Sequence, residues 1–255
     1  MTGYLLFKHA VKRVFQNLDD ALAISGLIWV GVMAIMVLVT AFLPSTPLFV
    51  ADTSVAQPTL TVDWGQFRIL MVLNVIALLA SIWVAIEWHR FVLLGERPNS
   101  IVPVFRKDLF QAYFGKSLLI MAAMIVVAVV VVTIVTFLMT LIGGVQFVPA
   151  LSIVVLSIFG MYAFYRVSPI LPAAALGQSL TLKEAWGRTE PHKQIIFRAT
   201  FLMIFATMAL QIPSLFVGSG PLGIVVSLAT GWIGLMVGVS LLSAIYELST
   251  SADDR

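Results

Sequence analysis

Glu87, His89 and Arg90 close one long apolar run and Arg166 interrupts another, and these are the side chains best placed to do chemistry beside a bilayer. Glu87 and Arg90 stand three apart, a spacing at which opposite charges on a helix can pair. The cluster then either contacts a lipid headgroup or a protein partner, or is an interfacial ion pair with Trp88 as its aromatic anchor, the plainer reading and the one with more weight. Arg166 precedes Val167-Ser168-Pro169-Ile170-Leu171-Pro172, so it lies deeper than a simple loop arginine, and the two prolines would kink or break a helix and free carbonyls that need partners. With Arg90 it could bind phosphate groups in a cytoplasm-facing pocket; the alternative is that it snorkels to the interface. Arg106, Lys107, Arg188 and Lys193 lie in the polar gaps and complete the set of candidate headgroup or partner contacts.

Other chemistries find little support. His9, His89 and His192 match no metal-ligand spacing and have no cysteine to assist them. The absence of cysteine excludes disulfides, thiolate metal sites and Cys nucleophiles. No nucleophile stands beside a base and no Gly-rich phosphate loop is present, so neither catalysis nor a cofactor is expected. Ion-coupled transport usually places ionisable groups near mid-membrane, and the apolar runs hold only Asn74, Gln211, Thr133, Thr136 and Thr140 as their main polar groups, which hydrogen bonds between helices would explain. Gln211-Ile212-Pro213 is a candidate broken-helix site.

The elements that must carry these residues follow from composition. Sixty per cent hydrophobic and 11% charged residues exceed what a water-soluble core absorbs. Six segments are free of Asp, Glu, Lys and Arg and long enough to cross the hydrocarbon layer: approximately Ala21 to Leu43, Ile69 to Ile86, Ser117 to Ile142, Val148 to Tyr165, Ala199 to Val217 and Leu222 to Tyr246. The first is too long for a signal-peptide core and is read as a retained span. All but one of the fifteen Lys and Arg residues lie before these segments or in alternate gaps; Arg68 is the exception. By the positive-inside rule the basic side, with both termini, is cytoplasmic. The net charge of +3 therefore serves insertion and attraction to anionic lipid rather than nucleic acid. The external connections would be a loop from Pro44 to Gln66, a tight Gly143-Gly144 turn and Gly218 to Pro221.

Each cytoplasmic gap also carries an amphipathic stretch. Tyr4, Phe7, Val11, Val14 and Leu18 recur at helical spacing, and so do Val102, Phe105, Leu109 and Tyr113 within Ile101 to Lys116; both stretches are expected to lie as helices in the interface. Thr181 and Glu184 form a capping box, and Pro191 should limit the helix that follows. The expected architecture is a single all-α membrane domain over residues 1–255, with three parallel repeats of interfacial helix and hairpin at about 4–95, 100–177 and 181–247. Leu94-Gly95 precedes Arg106 by the spacing at which Leu176-Gly177 precedes Arg188. Gly234 and Gly238, with Ser227 and Gly231, make the last span suited to close helix packing.

Through Trp88-His89-Arg90-Phe91-Val92-Leu93-Leu94-Gly95-Glu96, and again through Leu171-Pro172-Ala173-Ala174-Ala175-Leu176-Gly177 with Leu182, Ala185, Trp186 and Thr189, the chain resembles six-span bacterial inner-membrane proteins of the YciC and glycerophosphodiesterase membrane-domain type. The resemblance covers roughly residues 80–200 and implies a bacterial inner-membrane location without catalytic residues. Some relatives carry a fused phosphodiesterase domain; none is expected within these 255 residues, which read as membrane bundle and short loops. The expectation is a non-enzymatic, multi-pass protein acting through membrane lipids, anionic ones among them, or a membrane protein partner at its cytoplasmic face; the alternative is a transporter or permease for a lipidic or amphipathic substrate.

Overall fold

The structure, a computed structural model, describes residues 2–42, 49–52, 59–98, 103–217 and 221–250. It is an all-α fold in which six helical stretches are long and apolar enough to cross a membrane: Leu18–Val39, Trp64–Leu94, Lys107–Leu141, Val145–Ala175, Leu182–Val217 and Val225–Thr250. Helix α1 (Gly3–Gln16) is followed directly by α2 (Leu18–Ala41), then by a hairpin of β1 (Phe49–Asp52) with β2 (Thr59–Val62), and by α3 (Trp64–Leu94) and α4 (Lys107–Leu141). The fourth stretch joins α5 (Val148–Val155), a π-helical turn at Leu156–Gly160 and α6 (Met161–Val167), with α7 (Ile170–Ala175) after it. Helix α8 (Leu182–Thr189) leads through a 3-10 turn at Glu190–His192 into α9 (Lys193–Val217), and α10 (Pro221–Thr250) ends the bundle.

The spans outrun the charge-free segments that announced them. At about 1.5 Å per residue, the 31 residues of α3 reach about 46 Å, against a hydrocarbon layer of about 30 Å. A charged residue ends an apolar run without ending a helix, provided the helix has left the hydrocarbon or the charge is paired. The 35-residue α4 therefore absorbs Lys107 to Lys116, and the stretch expected as a separate interfacial helix is its first turns; Ile101 and Val102 of that stretch lie outside the described residues. The glycines that end these pieces behave as their sequence implied. Gly95 and Gly177 hold left-handed conformations after α3 and α7, and Gly143 does so at the turn after α4, where the Gly144 amide donates to the Met139 carbonyl at 2.8 Å.

Three other expectations are corrected. The loop from Pro44 to Gln66 contains an antiparallel hairpin, with Phe49 opposite Val62 and Asp52 opposite Thr59, and Asp63 then caps α3 by accepting from the Gln66 amide. The stripe expected on α1 is divided: Val14 joins Leu6 and Ala10 on a fully buried face where the helix packs on α9 and α10, Phe7 and Val11 are half-buried, and Tyr4 faces outward, as does Leu18 at the start of α2. Gly3 is required at that crossing, since a Cβ there would clash with the Arg198 Cβ and the Ile195 carbonyl oxygen. Pro213 does not break α9, which runs on to Val217.

Proline acts as expected elsewhere. The helix ends at Val167, Pro169 precedes α7, and Pro191 sits in the 3-10 turn that separates α8 from α9. The capping box is formed, with Thr181 Oγ1 accepting from the Glu184 amide and the Glu184 carboxylate accepting from the Thr181 amide.

Packing is unequal along the bundle. The end that carries the basic residues holds a dense core from the last turns of α3 (Ile82 to His89), α7 and its approach (Tyr165 to Ala175), the last half of α10 (Met236 to Tyr246), α1 and the start of α9. Toward the opposite end Val30, Leu38, Val72, Val126, Phe137, Ile153 and Phe216 are exposed. Between helices in hydrocarbon, association rests on close packing and hydrogen bonds, because lipid tails solvate apolar faces as well as leucine does. Two of the polar groups there bond within their own helix: Asn74 donates to the Leu70 carbonyl and Thr140 to the Thr136 carbonyl, in place of the interhelical bonds expected of them. The small-residue face of α10 is used intramolecularly at two positions, Gly231 receiving the Trp29 ring of α2 and Gly238 the Met203 side chain of α9.

Candidate functional site

At the basic end, the last two turns of α3 meet α10 across a buried polar seam. Trp88 and His89 are both fully buried. The Trp88 indole donates to Ser240 Oγ at 3.1 Å, and the His89 ring bonds Ser243 Oγ at 2.8 Å and the Tyr113 hydroxyl at 3.3 Å. Ser240 and Ser243 lie three apart on α10 and so present both oxygens to one neighbour. Trp88 is thus a core residue rather than an interfacial anchor, and His89 is sealed from any headgroup. A buried ring needs partners for both nitrogens, and two hydroxyls supply them.

One turn further along, four charges alternate. Arg106 donates to both oxygens of Glu87 at 2.8 and 3.0 Å and also to Glu96 Oε2 at 3.0 Å. Arg90 donates to both oxygens of Glu96 and to the Ala175 carbonyl. The pairing expected within α3, Glu87 with Arg90, is replaced by pairing across the turn, because the left-handed Gly95 folds Glu96 back over Arg90 and brings Arg106 against Glu87. The Arg90 hydrogen bond holds the Glu96 carboxyl below its ordinary value against the opposing effect of burial, and the charges of Arg90 and Arg106 lower it further. A polar cavity of about 350 Å³ lies at this turn, lined by Glu87, Glu96, Arg97, Pro98, Pro103, Val104 and Arg106.

Arg166 forms a second, separate cluster. It is 2% exposed and ends α6 against α8. Its Nε donates to Thr189 Oγ1 at 2.8 Å, one terminal nitrogen to the Tyr162 hydroxyl at 2.9 Å, and the other to the Trp186 carbonyl at 2.9 Å and Glu190 Oε2 at 2.6 Å. The guanidinium also lies 4.3 Å from the centre of the Trp186 ring. Thr189 returns a bond to the Arg166 carbonyl at 2.9 Å, satisfying a carbonyl next to the proline break. Arg166 therefore neither snorkels nor opens a phosphate pocket with Arg90; each arginine is held by its own carboxylate.

Of the remaining candidates, Lys107 is exposed at the start of α4, Arg188 is half-buried on α8, and Lys193 is exposed and donates to Glu190 Oε1 at 2.7 Å. The partners not apparent from the sequence are Ser240, Ser243, Tyr113, Glu96, Tyr162, Thr189 and Glu190. Two carried a signal: Glu96 and Glu190 are carboxylates in gaps otherwise dominated by cations, and each became the acceptor of a buried or half-buried arginine.

On the flank of the bundle an apolar groove of about 790 Å³ opens between α2 and α10, from Leu22 to Leu38 and from Val225 to Trp232. Two tryptophans bridge it: Trp29 donates to the Leu228 carbonyl at 3.1 Å, and Trp232 donates to Ser25 Oγ at 2.7 Å. Comparison of the chain with protein-family models, curated proteins and solved structures finds no match.

Proposed function

We propose that this chain is a non-enzymatic, multi-pass protein of the bacterial inner membrane, with both termini in the cytoplasm, and that it works by binding lipid or a protein partner on its cytoplasmic face. The observation that carries this reading is the division of labour among the cations at the basic end. Arg13, Arg90, Arg106 and Arg166 are spent on ion pairs inside the fold, whereas Lys8, Lys12, Lys107 and Lys183 stand exposed around them, outside those pairs. The paired set makes a rigid platform and the exposed lysines give it a positive rim. Each such lysine near an anionic surface contributes about 1 kcal/mol of attraction.

A permease for a lipidic substrate is the second reading, favoured by the lateral groove between α2 and α10. Such a path needs polar groups on its wall, yet Arg166 is sealed within its own partners and the groove is apolar along its length.

Two measurements test the proposal. Because the chain has no cysteine, single cysteines at Lys107 or Lys183 report sidedness by labelling in intact cells; protection from an impermeant reagent is expected, and labelling from outside would overturn the orientation. Replacing Lys8, Lys12, Lys107 and Lys183 with glutamine should reduce the anionic lipid or partner protein that copurifies from native membranes, and unchanged recovery of both would remove the reading.

A further inference from the structure

A second groove lies where α9 leaves the 3-10 turn and passes the π-helical turn of the fourth span. About 470 Å³ in volume, it is lined by Phe159, Tyr162, Lys193, Gln194, Phe197 and Arg198, two cations and an amide against three aromatic rings. A π-turn inserts one residue into the helical repeat and swings the following side chains about 100° around the axis, and Phe159 stands outward on this one.

The polar groups around the groove are arranged as donors. Glu190, the carboxylate nearest to them in the chain, already accepts from Arg166 on one oxygen and from Lys193 on the other. Lys193 therefore keeps two of its three N–H donors, and the local charges Arg166, Lys193, Arg198 and Glu190 leave a surplus of positive charge. The Tyr162 hydroxyl accepts from Arg166 and retains its own proton for donation. Arg198 is exposed, rooted where α1 crosses α9 at Gly3.

The apolar groups continue away from the cations in one line. Phe197, Phe201 and Phe205 follow Lys193 at four-residue steps on the same face of α9, all three exposed, with Phe201 and Phe205 in edge contact at 4.9 Å. A free anion would use only the head of this arrangement. We infer that the groove between α6 and α9 binds one anionic phospholipid, its phosphate taken by Lys193, Arg198, Gln194 and Tyr162 and an acyl chain laid along Phe197, Phe201 and Phe205. This inference rests on the lipid-binding form of the function proposed above, and names a site for it that does not depend on the lysine rim.

The test is native mass spectrometry of the full chain titrated with dioleoyl phosphatidylglycerol, with dioleoyl phosphatidylcholine and inorganic phosphate as parallel probes. Wild type should hold one phosphatidylglycerol in preference to phosphatidylcholine and should show no comparable retention of phosphate. The Lys193→Gln, Arg198→Gln variant should bind it roughly 30-fold more weakly, at about a factor of five per cation. The charge-preserving Lys193→Arg, Arg198→Lys variant should bind as wild type does, which separates lost recognition from lost folding. If the neutral variant binds like wild type while glutamines at Lys8, Lys12, Lys107 and Lys183 abolish retention, this site is wrong and the rim alone serves. If neither set lowers retention, both proposals fall. Equal retention of phosphate and phospholipid would overturn the assignment to a lipid.

Discussion

The two ends of this bundle are built on different principles. At the basic end Trp88, Ile86, Met236, Leu241 and Ile245 are almost completely buried, and each buried polar side chain of the seam and of the Arg166 cluster has a named partner. Toward the opposite end α2, α4 and α9 expose large apolar side chains along much of their length. The reason is the solvent. Helices that project beyond the hydrocarbon must exclude water from their apolar faces and pair their charges, as a soluble domain does. Within hydrocarbon an apolar face is already solvated, and the protein invests little there.

The contrast makes substitutions at the basic end costly and those at the other end mild. Trp88→Ala should have the largest effect, about 3 to 5 kcal/mol, as for other fully buried tryptophans, read as loss of a monodisperse peak in size-exclusion chromatography or a large drop in apparent Tm. Arg166→Ala should cost about 3 kcal/mol by removing the shared donor of Thr189, Trp186 and Glu190, read as a drop in apparent Tm. Lowered lipid content at unchanged Tm would return Arg166 to the set of headgroup contacts. Arg106→Gln, at a partly exposed pair, should cost about 1 kcal/mol or less by the same melt. Leu38→Ala, on the wall of the apolar groove, should change stability by less than about 0.5 kcal/mol; a loss as large as that at Trp88 would end the comparison.

Glu96 adds a pH test of the basic end. Its carboxyl is held below the ordinary value, so its stabilisation is complete above that value and is lost as pH falls through the depressed one. Wild type should therefore lose apparent Tm on acidification into that range, and Glu96→Gln should lose less over the same interval.

Much of this was legible from residue types. Six runs without a charge located six spans, Pro169 and Pro191 marked real interruptions, and Thr181 with Glu184 made the cap that their spacing implied. Helix ends were not legible, because an unpaired charge and a paired one read alike in a sequence: Glu87 and Lys116 bound the apolar runs yet lie inside α3 and α4. Partner choice was hidden for a related reason. The spacing of Glu87 and Arg90 favours a local pair, and only the reversal at Gly95 puts Glu96 and Arg106 closer. The protein-facing side of α1 was also hidden, since lipid and protein accept apolar side chains alike, and the face that packs is Leu6, Ala10 and Val14 beside the close approach at Gly3 rather than the whole stripe from Tyr4 to Leu18.

That approach of α1 has a consequence for how the chain is assembled. Arg13 pairs with Glu247, 234 residues later, at 2.9 Å. At a translation speed of about 5 to 20 residues per second, the first helix waits roughly 10 to 50 seconds for the segments it docks against. During that interval Leu6, Ala10 and Val14 have no protein to cover them, and the leaflet surface or a chaperone must shelter them until the last hairpin arrives. Closure of the molecule is then a late event, which cannot precede synthesis of α10.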